Sequence, residues 1–414
     1  MNVLILAGGL GSRFFSNNSK ISVNFWGIPI VKMLCLNAQK ISEEVYVVLR
    51  NEFKDLPKNT KIIYQKEAYG TGAAVQSYYE QINEKKSVLI IPGDAPLVDH
   101  EVMKKFKEEK ENADIILGIM KTPKGMEYYG RVFIKDDEVE KILEYKQYKE
   151  KTKYVNTGII LLNPKVLHLL NELTEGNNKE TYLTEIIAIA KTKGFKVKTL
   201  ILTHEEALGF NTISEFHKLL GIAQSKWRKK ALESKAIFFD IKRVYLSYDT
   251  AFELGSVIEP YTRFLPGVKI GPKGTVRSFS SLENCYINGT VGPFSNIKSG
   301  EIHEDAEIGS FVEVNRSVIG KKSKAKHLSY LGDAKIGTKV NIGAGCVICN
   351  YDGKNKHKTE IGSNSLIGGN TTLIAPINVG EGSLLAAGST FTENVEDDTL
   401  AIARSYQTNK PKKK

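Results

Sequence analysis

The sequence predicts two joined folds, a doubly wound α/β domain followed by a left-handed parallel β-helix, and three observations carry that prediction. Short aliphatic runs alternate with helical stretches through the first half of the chain, the order expected of strands and helices in a mostly parallel sheet. The second half places an aliphatic residue every sixth position, with small residues beside it; that period marks a coil with one face per hexapeptide. Between them Phe216, Leu219, Leu220, Ala223 and Trp227 recur at three- and four-residue spacing, the stripe of a helical arm. The resulting division is an α/β domain at 1–213, a helical linker at 214–245, a β-helix at 246–407 and a basic tail at 408–414.

The first strand is Val3-Leu4-Ile5-Leu6-Ala7, aliphatic without alternation and so suited to burial on both faces. It runs into Gly8-Gly9-Leu10-Gly11-Ser12-Arg13, with Lys20 beyond a short polar loop. Glycines there let bare N–H groups approach an anion, and the two cations bring charge to the same place. The spacing is neither the dinucleotide fingerprint nor the P-loop, so the loop is read as holding a nucleoside triphosphate by another scheme. Ile28 to Gln39 reads as a helix, and Val45 to Leu49 and Lys61 to Tyr64 as strands. Gln65 follows, and then Tyr69-Gly70-Thr71-Gly72 opens a helix, with Thr71 a candidate cap.

The strand Ser87 to Ile91 ends in Pro92-Gly93-Asp94. Ligands of open α/β sheets sit beyond the carboxyl ends of the strands, which gathers Gly8 to Arg13, Gln65, Gly70 and Thr71 around one crevice. Asp94 emerges at the same end, where an oxygen donor suits a hard divalent cation. Tyr129 to Val132 begins a hairpin, Glu144 follows it, Val155 to Ile159 starts a strand containing Asn156, and Thr181 to Ile187 begins a helix. Asn211 lies in the turn Gly209-Phe210-Asn211-Thr212.

In the coil, Ile270, Val276 and Leu282 are six apart, as are Ile302, Ile308 and Val314, Ile336, Ile342 and Ile348, and the series from Ile361 to Phe391. The period breaks near Gly289 and Lys321, where distortions or loops are expected, and Tyr351 to Thr359 is an insertion. His327 lies in Lys326-His327-Leu328-Ser329-Tyr330, and Asn341, Asn350 and Tyr351 fall on nearby coils. A histidine so placed can take a proton near neutral pH.

The 414 residues exceed a single core and carry a formal charge of +11. The lysines are scattered except at Lys410 to Lys414; anionic small substrates explain that balance as well as nucleic acid does, and solvated lysine-rich surface accounts for most of it. No apolar run reaches the roughly 18 residues of a membrane span and no secretory leader is present, which places the chain in the cytoplasm. Four cysteines are too few for a disulfide framework. Cys346 and Cys349 lack the partners of a zinc site and are read as repeat positions.

Leu6-Ala7-Gly8-Gly9-Leu10-Gly11-Ser12-Arg13 with Lys20 resembles the signature of sugar-phosphate nucleotidyltransferases. Gly70-Thr71-Gly72, Gly93-Asp94, Asn156-Thr157-Gly158 and His327-Leu328-Ser329-Tyr330 narrow the likeness, over Met1 to about Gln407, to the bacterial bifunctional glucosamine-1-phosphate N-acetyltransferases and N-acetylglucosamine-1-phosphate uridylyltransferases. The resemblance implies a Rossmann-like nucleotidyltransferase domain on a trimeric left-handed β-helix. Its implied substrates are UTP, acetyl-CoA, glucosamine 1-phosphate and N-acetylglucosamine 1-phosphate, with Mg²⁺ as cofactor.

Residue by residue, the resemblance makes Arg13 and Lys20 catalytic, and puts Leu6, Ala7, Gly8 and Gly9 on the nucleotide. Gln65, Gly70 and Thr71 would contact the uracil, Gly130, Glu144 and Asn156 the N-acetylglucosamine, and Asp94 and Asn211 the metal. In the coil it makes His327 the base. Lys298, Asn315, Tyr330 and Asn341 would contact the amino sugar, and Ala344, Asn350, Tyr351, Gly369, Ala387 and Arg404 acetyl-CoA. The inserted loop would reach a neighbouring subunit. The chain departs from the pattern at Lys298 for arginine, Asn315 for lysine, Gly369 for serine and Ser19 for proline; Arg316 beside Asn315 offers a compensating charge. Three alternatives stand beside this reading: a uridylyltransferase on a non-acetylating coil, a non-catalytic regulatory subunit, and a nucleic-acid-binding protein.

Overall fold

In the computed structural model the opening aliphatic run forms β1 (Asn2–Leu6), with Val3, Leu4 and Ile5 fully buried. The structure describes residues 1–9, 22–65, 69–82, 85–123, 129–135, 138–143, 152–176 and 180–412. These divide into two units, Met1–Ala223 and Gln224–Lys414.

After β1 a hairpin of β2 (Asn24–Phe25) and β3 (Ile28–Pro29) leads into α1 (Ile30–Ala38). Proline at 29 fixes the φ of the residue before the first helical turn, so the helix begins two residues later than its apolar pattern. There follow β4 (Val45–Leu49), β5 (Thr60–Tyr64), α2 (Thr71–Gln81), β6 (Val88–Pro92), α3 (His100–Glu109) and β7 (Ile115–Lys121). The hairpin β8 (Arg131–Lys135) and β9 (Glu138–Leu143) precedes β10 (Tyr154–Leu162), α4 (Glu185–Thr192), β11 (Val197–Leu202), α5 (His204–Ala207) and α6 (Ile213–Glu233). The sheet order is β5-β4-β1-β6-β10-β7-β11-β9-β8.

β5, β4, β1 and β6 are mutually parallel, and β10 runs antiparallel to β6 and β7. The carboxyl ends of the four parallel strands therefore open on one edge, which is where Gly8, Gln65 and Asp94 follow β1, β5 and β6. The helix expected from Thr181 begins at Glu185 instead. Residues 180 and 181 are drawn into a parallel bridge with Tyr69, and Thr181 accepts the Gly72 N–H at 2.8 Å. That strap over the start of α2 holds the backbone extended.

α6 is the expected arm, and it runs through the limit between the two units. Leu219 and Ala223 are buried in its first part, while Trp227 and Ala231 pack on the core of the second unit.

The second unit has three parallel sheets, of ten strands from Ile237–Phe238 to Leu400–Ala401, eight from Arg263–Phe264 to Thr390–Phe391 and eight from Ala251–Phe252 to Ile377–Val379. The chain visits these first, second and third faces in turn, a left-handed β-helix. Ile270, Val276, Leu282, Ile302, Ile308, Val314, Ile336, Ile342, Ile348 and the series Ile361 to Phe391 all point into its core at no more than 6 % exposure. Each such aliphatic contributes about 1.5–3 kcal/mol by burial.

The break expected near Gly289 is a shortened corner, with inward Ile287 and Val291 four apart. Near Lys321 the break is a shortened step, with inward Val314 and Ile319 five apart, and the six-residue step that follows lands on Ala325, a buried alanine that hides it from the aliphatic pattern. Where the first face turns into the second, Tyr261, Phe279, Phe294 and Phe311 form an exposed stack with centroids 5.2, 4.9 and 5.2 Å apart, continued by exposed Leu328. All five have φ between 49° and 62°, the left-handed corner of each coil.

Candidate active sites

In the first unit, β1 delivers Leu6, Ala7, Gly8 and Gly9, and Leu6 accepts the Gly93 N–H at 2.9 Å. A Cβ on Gly8 would overlap Gln65 Oε1, so glycine at this position leaves room for the Gln65 carboxamide against the loop. Gln65 in turn donates to Gly70 O at 3.3 Å, and the Arg50 guanidinium lies 4.2 Å over the Tyr69 ring. Gly70 has φ 105°, and a side chain there would strike Thr181 backbone.

Thr71 is not the cap of α2. Gly70 occupies that place, and Thr71 Oγ1 instead accepts the Leu183 N–H at 3.1 Å. The hydroxyl is committed to the strap.

Across the same edge, a Cβ on Gly209 would stand 3.5 Å from Asp94 Oδ1, so the turn leading to Asn211 is packed on the Asp94 loop. Glu215 fixes that turn by accepting from the N–H groups of Asn211 at 2.5 Å and Thr212 at 3.2 Å. Tyr129 exchanges hydrogen bonds with Gly209, its hydroxyl donating at 3.3 Å and accepting at 3.2 Å. Asn156 donates its N–H to Gly130 O at 2.8 Å, and its Oδ1 accepts from Gly158 N in the bulge of β10.

Sequence reasoning did not single out Tyr129, Arg50 or Glu215; Tyr129 and Arg50 act through contacts distant along the chain, and Glu215 through a local turn bond that has no distinctive spacing. Arg13, Lys20 and Glu144 lie outside the described residues. Asp94 and Asn211 are hard oxygen donors, and among the described residues no three His, Cys, Asp or Glu cluster as a metal site. This donor set fits Mg²⁺, which takes one or two protein oxygens and completes its shell with water and phosphates.

In the second unit His327 sits at the corner where the first face ends, in register with Ser310. Directly above it the chain places only small residues. Gly345 N donates to His327 O at 3.3 Å, Asn370 N to Ala344 O at 2.7 Å and Gly388 N to Gly369 O at 2.8 Å. His327, Ala344, Gly369 and Ala387 thus fall on successive coils at one corner, and Arg404 Cδ lies 3.8 Å from a Cβ built on Gly388. Asn341 stands on the first face between Lys324 and Leu366.

The second face carries another cluster. Lys298 pairs in register with Asn315, and Asn315 with Gly332. A Cβ on Gly332 would meet Tyr330 Oη at 2.6 Å and Asn350 Nδ2 at 2.7 Å. Glycine here brings the Tyr330 hydroxyl and the Asn350 amide together. Lys298 is 3.1 Å from Glu283.

Arg316 is not the freely available cation that its position beside Asn315 suggested. Its Nε and Nη2 form a fork on Asp333 at 2.6 and 2.7 Å, and its Nη1 donates to Asn315 Oδ1 at 2.7 Å. The fork holds the Asp333 carboxyl below the usual aspartate range, helped by the Asn350 amide, and raises the Arg316 guanidinium. Beyond it Tyr351 opens an exposed loop in which Asp352 accepts from Lys354 N and Asn355 N at 2.7 Å and faces His357 Nε2 at 2.7 Å.

Comparison with known proteins accounts for both halves. The model of the MobA-like NTP transferase domain matches residues 3–154, and that of the hexapeptide repeat of succinyl-transferase matches 358–393. The bifunctional protein GlmU of Wolbachia pipientis wMel is 36% identical over 426 residues, covering 98% of this chain and 97% of its own. That of Thermosipho melanesiensis is 35% identical over 445 residues, covering 99% and 96%.

The chain belongs to the GlmU family. Like the other members of the GlmU family it is a bifunctional transferase, a nucleotidyltransferase joined to a hexapeptide-repeat acetyltransferase. Among solved structures, the inositol-1-phosphate CTP transferase from T. maritima is similar to the first half alone, at 18% identity and a TM-score of 0.43, covering 53% of this chain and 95% of that one. No helix among the described residues is long and apolar enough to cross a membrane.

Proposed function

We propose that the β-helix N-acetylates glucosamine 1-phosphate with acetyl-CoA, and that the α/β domain then joins the product to UTP, giving UDP-N-acetylglucosamine and pyrophosphate. The observation that carries this assignment is the column His327, Ala344, Gly369 and Ala387, a histidine at the foot of a strip of small residues along which an extended thioester could lie. His327 takes the ammonium proton and passes it to solvent, the freed amine attacks the thioester carbonyl, and as the C–S bond breaks the second proton lost by the nitrogen passes through His327 to the leaving thiolate. Lys298, Asn315, Tyr330 and Asn341 hold the amino sugar, and Ala344, Asn350, Tyr351, Gly369, Ala387 and Arg404 hold acetyl-CoA.

In the second reaction a phosphate oxygen of N-acetylglucosamine 1-phosphate attacks the α-phosphorus of UTP and pyrophosphate leaves. Leu6 to Gly9 cradle the nucleotide beside Gln65, Gly70 and Thr71, while Gly130, Glu144 and Asn156 hold the sugar. Arg13 and Lys20 offset the charge of two polyanions. Asp94 and Asn211 would hold Mg²⁺, which supplies further charge neutralisation at the phosphates.

The aromatic stack ending at Leu328 supports a homotrimer, since an exposed apolar stripe of this length calls for a covering surface and its last member adjoins His327. The four cysteines are unpaired, in keeping with a cytoplasmic enzyme.

A uridylyltransferase on a non-acetylating coil draws support from one contact, the pairing of Lys298 with Glu283, which spends charge meant for the sugar phosphate. A single assay separates the readings. Purified protein receives glucosamine 1-phosphate, acetyl-CoA, UTP and Mg²⁺, and free thiol and pyrophosphate are followed separately with His327→Ala and Asp94→Ala beside the wild type. Both products, each removed only by its own variant, support the bifunctional scheme. Pyrophosphate that forms only from supplied N-acetylglucosamine 1-phosphate, with no thiol, supports the alternative.

A further inference from the structure

We infer that the Arg316–Asp333 fork is a positioning device that fixes which end of two amide side chains faces the bound substrates, Asn315 on the amino sugar and Asn350 where the amine of that sugar meets acetyl-CoA, giving the acetyl site a defined polarity. Arg316 and Asp333 occupy the same left-handed corner on successive coils, with φ 52° and 50°. Asn315 precedes Arg316 on its coil, and Asn350 stands one coil above Asp333. Guanidinium N–H groups only donate, so the atom of Asn315 that meets Arg316 Nη1 at 2.7 Å must be its oxygen. The Asn315 NH₂ is therefore turned away from the fork, and it bonds to no other described residue.

The same logic runs in reverse at Asn350. An ionised Asp333 only accepts, so the atom bonded to its Oδ2 must be the Asn350 NH₂. Asn350 Oδ1 accepts no bond from the described residues, on a residue that is 6 % exposed. The cluster thus offers donors, Asn315 and Lys298, at one end and an acceptor, Asn350, beside the Tyr330 hydroxyl at the other. This arrangement complements a molecule with an anionic group at one end and an amine at the other. A free asparagine could rotate to present either atom, and the fork removes that freedom. This inference deepens the reading of the coil as the acetyl site and rests on it.

The test compares binding of glucosamine 1-phosphate and of glucosamine by calorimetry, together with thiol release, in wild type, Asn315→Asp, Arg316→Met and Arg316→Lys. Asn315→Asp keeps the oxygen that Arg316 grips and turns a carboxylate toward the phosphate. It is expected to weaken glucosamine 1-phosphate by more than about tenfold while leaving glucosamine within about twofold. Arg316→Met frees the amide and is expected to raise the KM for glucosamine 1-phosphate about tenfold with an unchanged KM for glucosamine, and Arg316→Lys to recover part of that loss.

Equal losses for both sugars, or none for either, would overturn the positioning role. Uridylyl transfer and the melting temperature, followed in the same samples, show that the variants are folded. A wild type that binds glucosamine 1-phosphate without releasing thiol overturns the acetyltransfer reading while leaving the binding comparison decisive; one that binds neither sugar overturns both.

Discussion

Gly8 lies so close to the Gln65 carboxamide that a Cβ at position 8 would overlap Gln65 Oε1. Gly8→Ala must therefore displace the glutamine, whose far end is flexible, rather than the backbone. The expected result is a loss of about tenfold or more in uridylyl kcat/KM, with thiol release and melting temperature little changed. Because both substitutions act on one contact, Gly8→Ala combined with Gln65→Ala should cost no more than Gln65→Ala alone. Additive losses in steady-state pyrophosphate assays would show that Gly8 acts independently of Gln65.

That relationship also marks how far the sequence could be read. β1 and the six-residue inward positions were legible because burial imposes a period, and Ile270 or Ile367 can face nowhere but the core. Gln65 and Gly8 could be assigned to one edge because parallel strands all end there. What stayed hidden lies between coils. Arg316, Asp333 and Asn350 are each 17 residues apart, one full coil, so they stack vertically. The hexapeptide period suggests 18, and the five-residue step from Val314 to Ile319 supplies the difference. Ala325 concealed its coil for a different reason, being inward but too small to register as an aliphatic. Thr71 was misread as a cap because its partner, Leu183, belongs to a strap with no local signature.

The aromatic stripe predicts an assembly phenotype. Phe311 is 59 % exposed in a single chain and stacks on Phe294, so Phe311→Glu leaves the core of the coil intact. Sedimentation should show wild-type trimers and mostly monomeric variant. Acetyl transfer should fall with the trimer, since Leu328 of the same stripe adjoins His327, while pyrophosphate formation persists. A variant that remains trimeric would remove the stripe from the interface.

Thiol chemistry should single out one cysteine. Burial pushes the thiols of Cys35 and Cys285 up to about 12 and raises that of Cys346 as well, and the thiolate is the reactive form. Cys349 alone is exposed. An aromatic disulfide reagent at pH 8 should titrate about one thiol per chain rapidly and the rest only after denaturation, and Cys349→Ser should abolish the rapid phase. Rapid reaction of two or more thiols would mean that a buried corner opens readily.

The Arg316–Asp333 fork has a pH signature whose sign follows from the direction of the shift. Asp333 is held below the ordinary aspartate value, first by the hydrogen bond from Arg316. Its ionised form is therefore favoured by folding, and the associated stability is complete above the unfolded value of about 3.9 and lost as pH falls through the lower folded value. Asp333 is largely shielded, at 14 % side-chain exposure, so the charge-assisted bonds should be worth about 1–3 kcal/mol. Asp333→Asn is then expected to melt a few degrees lower than wild type at pH 7. The gap should narrow steadily below about pH 4 and close when the wild-type carboxyl is protonated. A gap that is constant from neutral to strongly acid conditions would show that the loss comes from altered packing at the corner and not from the ion pair.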